Sequence, residues 1–289
     1  MMASDDFLPD LVDPTMICAF SGWNDAGEAA TATVEHLELS WDARAYLSVD
    51  PEEYYDFQVN RPQVALVNGV SRQIVWGTVH VSIARMPVSG RDVVLVSGPE
   101  PNLRWKTFCE EFLDVARDLG VQRIVLLGGM STDTHFERPV PVSGTAWDPA
   151  SAARYGVQQS SYEGPTGITG LLHDSAVRAG IPAVSFWAGT PYYVSAPTWA
   201  PATVALLRRL EEVLEEPISV DALERQAAAG IAIVRGLVES DPAIREQLDS
   251  MDFEEDHVED DAGEQLAQDF ERYLRRRDTD SESEDDDGS

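Results

Sequence analysis

Short apolar runs alternate along the chain with longer segments whose apolar residues recur at helical spacing. The runs Met16 to Phe20, Arg123 to Leu127 and Ala183 to Trp187 are almost wholly apolar, which predicts strands buried on both faces of a sheet. Asp92 to Val96 has the same character and predicts a central strand. Val79 to Met86 alternates between apolar and polar residues, so its pattern predicts an edge strand.

Helical patterns fill the segments between these runs. In the segment Leu103 to Leu119, Phe108, Phe112 and Leu119 lie on one apolar stripe, and Gly120 ends the pattern. A further strand is predicted at Arg44 to Val49, and Asp50 with Pro51 predicts a helix start directly after it. Further helices are predicted at Ala26 to Leu37, before Ala179 and at Thr203 to Leu214. Strands separated by helices favour parallel pairing with helices on both faces. The sequence therefore predicts an α/β fold with a mostly parallel sheet sandwiched by helices.

Two connections in this pattern are long. Gly128 to Gly144 is predicted to be a polar loop, and its length exceeds that of a routine connection. Thr190 to Pro201 is predicted to be a loop rich in Tyr and Pro. Long loops in compact domains usually carry a function, so both are candidates to line a site.

The last quarter of the chain differs from the rest. After Pro217 only helical patterns remain, at Val220 to Glu239 and around Leu266, Phe270 and Leu274. From Asp278 onward no apolar residue is left to bury, which predicts disorder. We therefore expect a flexible N-terminus over residues 1–13, an α/β domain over 14–217, a small helical C-terminal extension over 218–277 and a disordered acidic tail over 278–289.

Charge limits the partners of the protein. The formal net charge is −30, and residues 240–289 hold 20 acidic and 5 basic residues. Such a charge repels phosphate backbones and anionic lipid headgroups, so neither nucleic acid nor a membrane is expected as a partner. Cys18 and Cys109 lie in apolar segments, which indicates buried thiols in a reducing compartment. With no secretory signal and no run of about 18 apolar residues, the expected location is the cytoplasm.

Polar side chains cluster after the predicted strands. In open α/β sheets, ligands bind at the carboxyl ends of the strands, so loops that follow parallel strands can meet in one cleft. The candidate ligand-binding residues are Asn24, Asp25, Glu28, Glu100, His135, Arg138, Glu163, Thr166, Tyr192 and Tyr193. The sequence assigns none of them a catalytic role.

Two of these sets have an alternative structural interpretation. Asp25 and Glu28 could perform acid and base chemistry, but the same D-x-x-E spacing is the capping signature of a helix start. The glycines around Thr166 could present backbone N–H groups to an anion such as phosphate. They match neither a P-loop nor G-x-G-x-x-G, and a turn followed by a helix cap accounts for them equally well.

Metal chemistry is not expected. The five histidines are scattered, and the sequence contains no H-E-x-x-H, no C-x-x-C and no paired Cys-His spacing. Only His135 lies in a loop where catalysis would be plausible. No G-x-S-x-G nucleophile elbow is present, and no cofactor is predicted.

Six segments of the chain together resemble one known family, the proteasome assembly chaperones, and in particular its actinobacterial branch. The segments are AFSGWNDAGEAAT (Ala19 to Thr31), DPEEYYDFQVNRP (Asp50 to Pro62), GPEPNLRW (Gly98 to Trp105), RPVPVSG (Arg138 to Gly144), YEGPTGITG (Tyr162 to Gly170) and FERYLRRR (Phe270 to Arg277). The resemblance covers most of residues 14–277.

The resemblance implies a fold, an oligomeric state and a partner. It implies a sandwich similar to that of nucleoside phosphorylases, with a helical C-terminal extension, and self-association as a homotrimer. Eukaryotic members of the family hold proteasome α-subunits during ring assembly and use a C-terminal tripeptide of a hydrophobic residue, Tyr and any residue. This sequence ends in Asp287-Gly288-Ser289, and Tyr273 is followed by Leu-Arg-Arg-Arg, which argues against docking of that kind.

Two hypotheses for the function remain open. The first is a non-enzymatic interaction protein, oligomeric, with proteasome subunits as partners. The second is a small-molecule-binding protein, or a hydrolase- or phosphorylase-like enzyme, that uses a cleft at the carboxyl ends of the strands. The second requires side chains from several loops to meet in one cleft.

Overall fold

A computed structural model describes residues 2–3, 10–68, 71–157, 163–194 and 196–250. The strands in this part of the chain are β1 (Met2–Ala3), β2 (Thr15–Ser21), β3 (Arg44–Ser48), β4 (Gln63–Val67), β5 (Ser71–Val75), β6 (His80–Arg85), β7 (Asp92–Pro99), β8 (Arg123–Thr132), β9 (Val142–Ala146) and β10 (Ala183–Pro191). The α-helices are α1 (Ala29–Ser40), α2 (Pro51–Tyr54), α3 (Trp105–Asp118), α4 (Pro149–Tyr155), α5 (Ile168–Arg178), α6 (Ala200–Leu214), α7 (Asp221–Ser240) and α8 (Pro242–Ser250). The predicted helix over Leu266 to Leu274 and the acidic tail lie outside the described residues.

The main sheet has eight strands in the order β1-β3-β6-β7-β2-β8-β10-β9. Its centre is parallel, because β7, β2, β8 and β10 all run in the same direction. The strands β6, β3 and β1 continue the sheet on one side by antiparallel pairing, and β9 is antiparallel to β10 at the other side. The strands β4 and β5 form a separate hairpin. The α/β fold with a mostly parallel central sheet is confirmed, and the whole sheet is mixed.

Helices cover both faces of the sheet. Alternate residues of β2 belong to opposite cores: Ile17 packs with α1 and α6, whereas Met16 and Cys18 pack with α3 and α5. Each core is formed by residues that are almost completely buried. This arrangement explains why β2 is an uninterrupted apolar run, since both of its faces are covered.

The loop predicted over Gly128 to Gly144 is much shorter. Strand β8 continues to Thr132, which pairs with Pro191, and β9 begins at Val142, so the connection spans residues 133–141. The prediction was wrong because two glycines suggested a turn. In the structure they allow close approach: a Cβ atom at Gly128 would lie 2.3 Å from the ring of Trp187.

The predicted edge strand over Val79 to Met86 is also corrected. Strand β6 lies between β3 and β7, inside the sheet. Its polar positions contact α1, since the Ser82 hydroxyl donates to Glu38 Oε1 at 2.6 Å and His80 Nε2 lies 3.3 Å from the same oxygen. The polar residues of β6 therefore reflect contact with a helix and not an edge position in the sheet, with Ser82 buried and the His80 side chain partly exposed.

The predicted helix starts are close to the observed ones. Pro51 opens α2, and the Asp50 side chain accepts a hydrogen bond from the backbone N–H of Glu52 at 3.0 Å, as expected of an N-cap. A short 3₁₀ turn over residues 26–28 precedes α1, so the α-helix itself begins at Ala29. Further along the chain, α7 packs on α6 and has no fully buried residue.

The close approach at Gly129 gives a test of this fold. A Cβ atom there would lie 2.5 Å from the backbone oxygen of Ala26, so we expect Gly129→Ala to lower the free energy of unfolding by about 2 kcal/mol or more. Gly236→Ala is the matched control, because nothing lies within 4 Å of its Cβ position in α7 and alanine favours a helix. Thermal unfolding followed by circular dichroism measures both. Equal melting temperatures for Gly129→Ala and the wild type would contradict the packing described here.

Candidate functional site

The carboxyl ends of the central strands meet at one edge of the sheet, which we call the rim. The connection after β2 carries Asn24 and Asp25, and the connection after β7 carries Glu100. Backbone contacts tie the first connection to β8, since the N–H of Gly129 donates to the Asn24 carbonyl at 2.8 Å. The Thr190 hydroxyl of β10 donates to the Ala26 carbonyl at 3.2 Å. The predicted convergence of strand ends is therefore present.

A carboxylate links three parts of the rim. Glu100 Oε1 accepts a hydrogen bond from Asn24 Nδ2 at 2.7 Å and another from the backbone N–H of Ile168 at 2.7 Å. Ile168 is the first residue of α5, so the carboxylate occupies the N-terminal end of that helix. Glu100 therefore fills the position in which an exogenous anion would benefit from the helix dipole.

Gly167 closes over this contact. A Cβ atom at Gly167 would lie 2.3 Å from Asn24 Oδ1 and 2.8 Å from Glu100 Oε1, so only glycine fits. Asn24 is 1% exposed, and its Oδ1 atom has no hydrogen-bond partner among the described residues. The glycine in this segment thus allows the backbone to approach the Asn24–Glu100 pair closely.

Burial raises the pKa of Glu100 above its ordinary value. The hydrogen bonds from Ile168 and Asn24 act in the opposite direction, because both stabilise the ionised form. Burial is the larger effect, so the folded protein holds a proton on Glu100 more readily than the unfolded chain does. This carboxylate is a structural link whose charge costs free energy at neutral pH.

Asp25 caps α1. Its carboxylate is almost fully buried, and Oδ1 accepts from the backbone N–H of Ala30 at 2.7 Å. The Thr31 hydroxyl also donates to this carboxylate. Burial raises the pKa of Asp25, and the Thr31 hydroxyl and the Ala30 amide partly offset that rise. Glu28 is exposed, has a left-handed φ of 49° and is itself the N-cap residue of α1, without a side-chain cap bond. The predicted D-x-x-E capping box is therefore not formed, and Asp25 bonds instead to the amide of Ala30.

The connection after β8 is attached to the segment that follows β10. The Tyr193 hydroxyl accepts from the backbone N–H of Phe136 at 2.8 Å and donates to the Thr134 carbonyl at 3.0 Å. His135 Nδ1 accepts from the backbone N–H of Glu137 at 3.2 Å. Burial raises the pKa of Tyr193 to about 12, which suits a hydrogen-bonding role for the neutral phenol.

The remaining candidates lie toward the outside of the molecule. Arg138 is exposed, Tyr192 is 37% exposed with its ring 5.5 Å from that of Tyr193, and Glu163 and Thr166 are exposed ahead of α5. Asn24 and Glu100 are thus in direct contact, and Tyr193 contacts the loop that carries His135. Within the described residues, no hydrogen bond joins Glu163 or Thr166 to Asn24 or Glu100.

A feature missed by the sequence analysis stands beside the rim. The β4–β5 hairpin exposes several large apolar side chains, among them Leu66 at 63% and Val64 at 56%. The sequence contains the signal for this hairpin, because the dipeptide Asn68-Gly69 between two apolar-rich segments is a pattern that favours a hairpin. Asn68 has the expected positive φ of 53°.

The part of the chain that the structure describes contains no group of three or more His, Cys, Asp or Glu side chains that could hold a metal ion. In the same ranges, no helix has the length and apolar character needed to span a bilayer. Both cysteines are free thiols in the core, and burial raises the pKa of Cys109 to about 11.

The raised pKa of Glu100 predicts a dependence of stability on pH. A raised pKa means that the folded state binds more protons, so this contribution to stability is lost as the pH rises above about 4.5. Glu100→Gln keeps an acceptor oxygen and cannot ionise. We expect the stability of this variant relative to the wild type to increase between pH 4.5 and pH 8, as measured by urea unfolding.

Asp148→Asn is the control for that experiment. The Ser151 hydroxyl and amide lower the pKa of Asp148 below its ordinary value of 3.8, so the stability that the wild type gains from this group is complete above that pH and is lost only as the pH falls below it. The stability of Asp148→Asn relative to the wild type should therefore stay constant between pH 4.5 and pH 8. Parallel pH profiles for Glu100→Gln and the wild type would show that Glu100 is not buried as described.

Comparison with known proteins identifies relatives of the whole fold. The PAC2 family model matches residues 19–237. A PAC2 family protein from Streptomyces avermitilis is 46% identical, with 81% of this chain and 99% of that chain covered and a TM-score of 0.76. A proteasome-assembly chaperone homologue from Mycobacterium tuberculosis is 48% identical, with coverage of 80% and 98% and a TM-score of 0.75.

More distant structures share the fold alone. An archaeal proteasome activator from Pyrococcus furiosus is 18% identical, with 79% of this chain and 95% of that chain covered and a TM-score of 0.65. A comparison with curated protein sequences gave no match. Since the family model spans most of the chain and two structures are nearly half identical to it, the chain belongs to the PAC2 family.

Proposed function

We propose that this protein is a non-enzymatic interaction protein of the cytoplasm that binds proteasome subunits as a homo-oligomer, with a homotrimer as the expected form. The proposal is carried by one observation: the carboxylates of the rim form structural hydrogen bonds within the chain. Asp25 caps α1, Glu100 caps α5 and Asn24 donates to Glu100, so both carboxylates at the usual catalytic position are engaged within the chain.

Two relatives support the choice of partner. The homologue from Mycobacterium tuberculosis is described as a proteasome-assembly chaperone homologue, and the more distant Pyrococcus furiosus protein as a proteasome activator. The net charge of −30 also favours protein partners over nucleic acid or anionic membranes. These observations indicate the class of partner and do not identify the surface that binds it.

Direct binding to the proteasome tests the proposal. We expect the purified full chain to bind isolated proteasome α-subunits from the same organism with micromolar or tighter affinity, measured by surface plasmon resonance at physiological salt. An unrelated protein of similar net charge is the control, because acidic proteins adhere to basic surfaces without specificity. Absence of binding to α-subunits and to assembled rings in the high micromolar range would rule the proposal out.

We propose a small-molecule-binding role at the rim as the second candidate, in the form of a hydrolase- or phosphorylase-like enzyme or a binding protein. It is favoured by one observation: Asn24 Oδ1 is buried and has no hydrogen-bond partner among the described residues. Such an acceptor is unusual in a folded protein and is sometimes completed by a ligand.

The two candidates differ in a thermal-shift experiment. If the protein acts only by protein contacts, millimolar phosphate and nucleosides should leave its melting temperature unchanged. If the rim binds such ligands, their presence should raise the melting temperature of the wild type by about 2 °C or more. Asn24→Ala removes the acceptor, so it should abolish that shift. A shift of equal size in both proteins would place the ligand elsewhere.

A further inference from the structure

The β4–β5 hairpin exposes an apolar face. Val64 pairs with Ile74 and Leu66 pairs with Arg72, so these four side chains share one face of the hairpin. Val64, Leu66 and Ile74 are 56%, 63% and 49% exposed. A two-stranded hairpin of this kind is marginally stable when its apolar face is left in water. Three large apolar side chains on one face therefore indicate a surface that another molecule covers.

The base of the hairpin is attached to the body of the protein. Asn102 Oδ1, in the connection after β7, accepts from the backbone N–H of Asp56 at 3.0 Å and from Asn60 Nδ2 at 3.1 Å. Phe57 precedes β4 and Trp76 follows β5, and their rings pack with the centroids 4.7 Å apart. These contacts fix where the hairpin leaves the body, so its apolar face is presented in one place.

The charge around the hairpin differs from that of the rest of the chain. Residues 57–91 contain no Asp or Glu, although the chain has 51 acidic residues in total. Two of the arginines in this stretch, Arg61 and Arg72, are exposed. Arg72 lies on the same face as Leu66, so the face combines apolar surface with positive charge. Its complement is an acidic surface with exposed apolar side chains.

We propose that the apolar face of the β4–β5 hairpin binds a second copy of this chain. The body of the protein carries the complementary charge, because residues 1–239 hold 31 acidic and only 12 basic residues outside the acid-free stretch. A hairpin that docks on a different surface of the next copy makes a head-to-tail contact, which closes into a ring when the rotation allows it. The inference deepens the homo-oligomer part of the proposed function and is independent of proteasome binding.

Charged substitutions on this face should dissociate the oligomer. We expect the wild type to be oligomeric at micromolar concentration in light scattering coupled to size-exclusion chromatography. Leu66→Asp combined with Ile74→Asp should weaken self-association by about 100-fold or more, since two apolar side chains of the contact are replaced by carboxylates that resist loss of hydration. Gln63→Asp combined with Gln73→Asp is the matched control, because both side chains are exposed on the opposite face of the same hairpin, and it should leave the mass unchanged.

A second pair of substitutions tests whether the aspartate variants act by unfolding the hairpin. Leu66→Thr with Ile74→Thr keeps strand-favouring residues while removing most of the apolar surface, so it should also weaken self-association, though less. Circular dichroism and melting temperature should stay close to those of the wild type. A monomeric wild type, or an unchanged mass for both hairpin variants, would overturn the inference.

Cross-linking identifies what covers the face. Leu66→Cys adds a single accessible thiol, because Cys18 and Cys109 are 0% and 2% exposed. A photoreactive maleimide on this residue, in an equal mixture of ¹⁴N- and ¹⁵N-labelled chains, should give cross-links that join the two isotopes. Cross-links confined to one chain would overturn the inference in favour of cover by the chain's own acidic segment. The proteasome-binding measurement above uses a different partner, so it can fail while self-association holds.

Discussion

A single buried carboxylate oxygen holds the rim of this sheet together. Glu100 Oε1 joins the connection after β2, through Asn24, to the start of α5, through Ile168. Burial of a carboxylate is unfavourable unless hydrogen bonds and dipoles compensate for lost hydration, and here an amide, a backbone N–H and a helix N-terminus do so. The same contact requires glycine at position 167, because any Cβ would collide with the pair. The positions of three connections thus depend on one interaction.

The central architecture could be predicted from the sequence, because it follows from apolar runs. Strands such as β2 and β8 are buried on both faces, so their residues are apolar without alternation, and parallel order follows from the helices between them. The proximity of Asn24 and Glu100 also follows, since both come after parallel strands. Their hydrogen bonding could not be predicted, because the partner of Glu100 is a backbone N–H of a helix that starts 68 residues later.

The errors arose where a local pattern has a tertiary cause. Gly128 and Gly129 suggest a turn, yet they lie within β8 because the Trp187 ring and the Ala26 backbone approach them. Ser82 and His80 suggest an exposed edge, yet they contact Glu38 of α1. In each case the residue type is explained by a close contact, and the neighbour that makes the contact is known only from the fold.

The mixed order of the sheet decides where the exposed surface lies. Strand β3 runs parallel to β7 and β6 runs against it, and Ser48, His80 and Ser97 are aligned across the three strands. The segment that leaves β3 and returns to β6 therefore starts and ends at the rim, and it contains the β4–β5 hairpin. At the rim, Asn24, Asp25 and Glu100 bond to the chain itself, whereas the hairpin presents Leu66 and Arg72 to solvent. The polar side chains of the rim are in this way used for structure, and the exposed apolar surface lies on an insertion beside the rim.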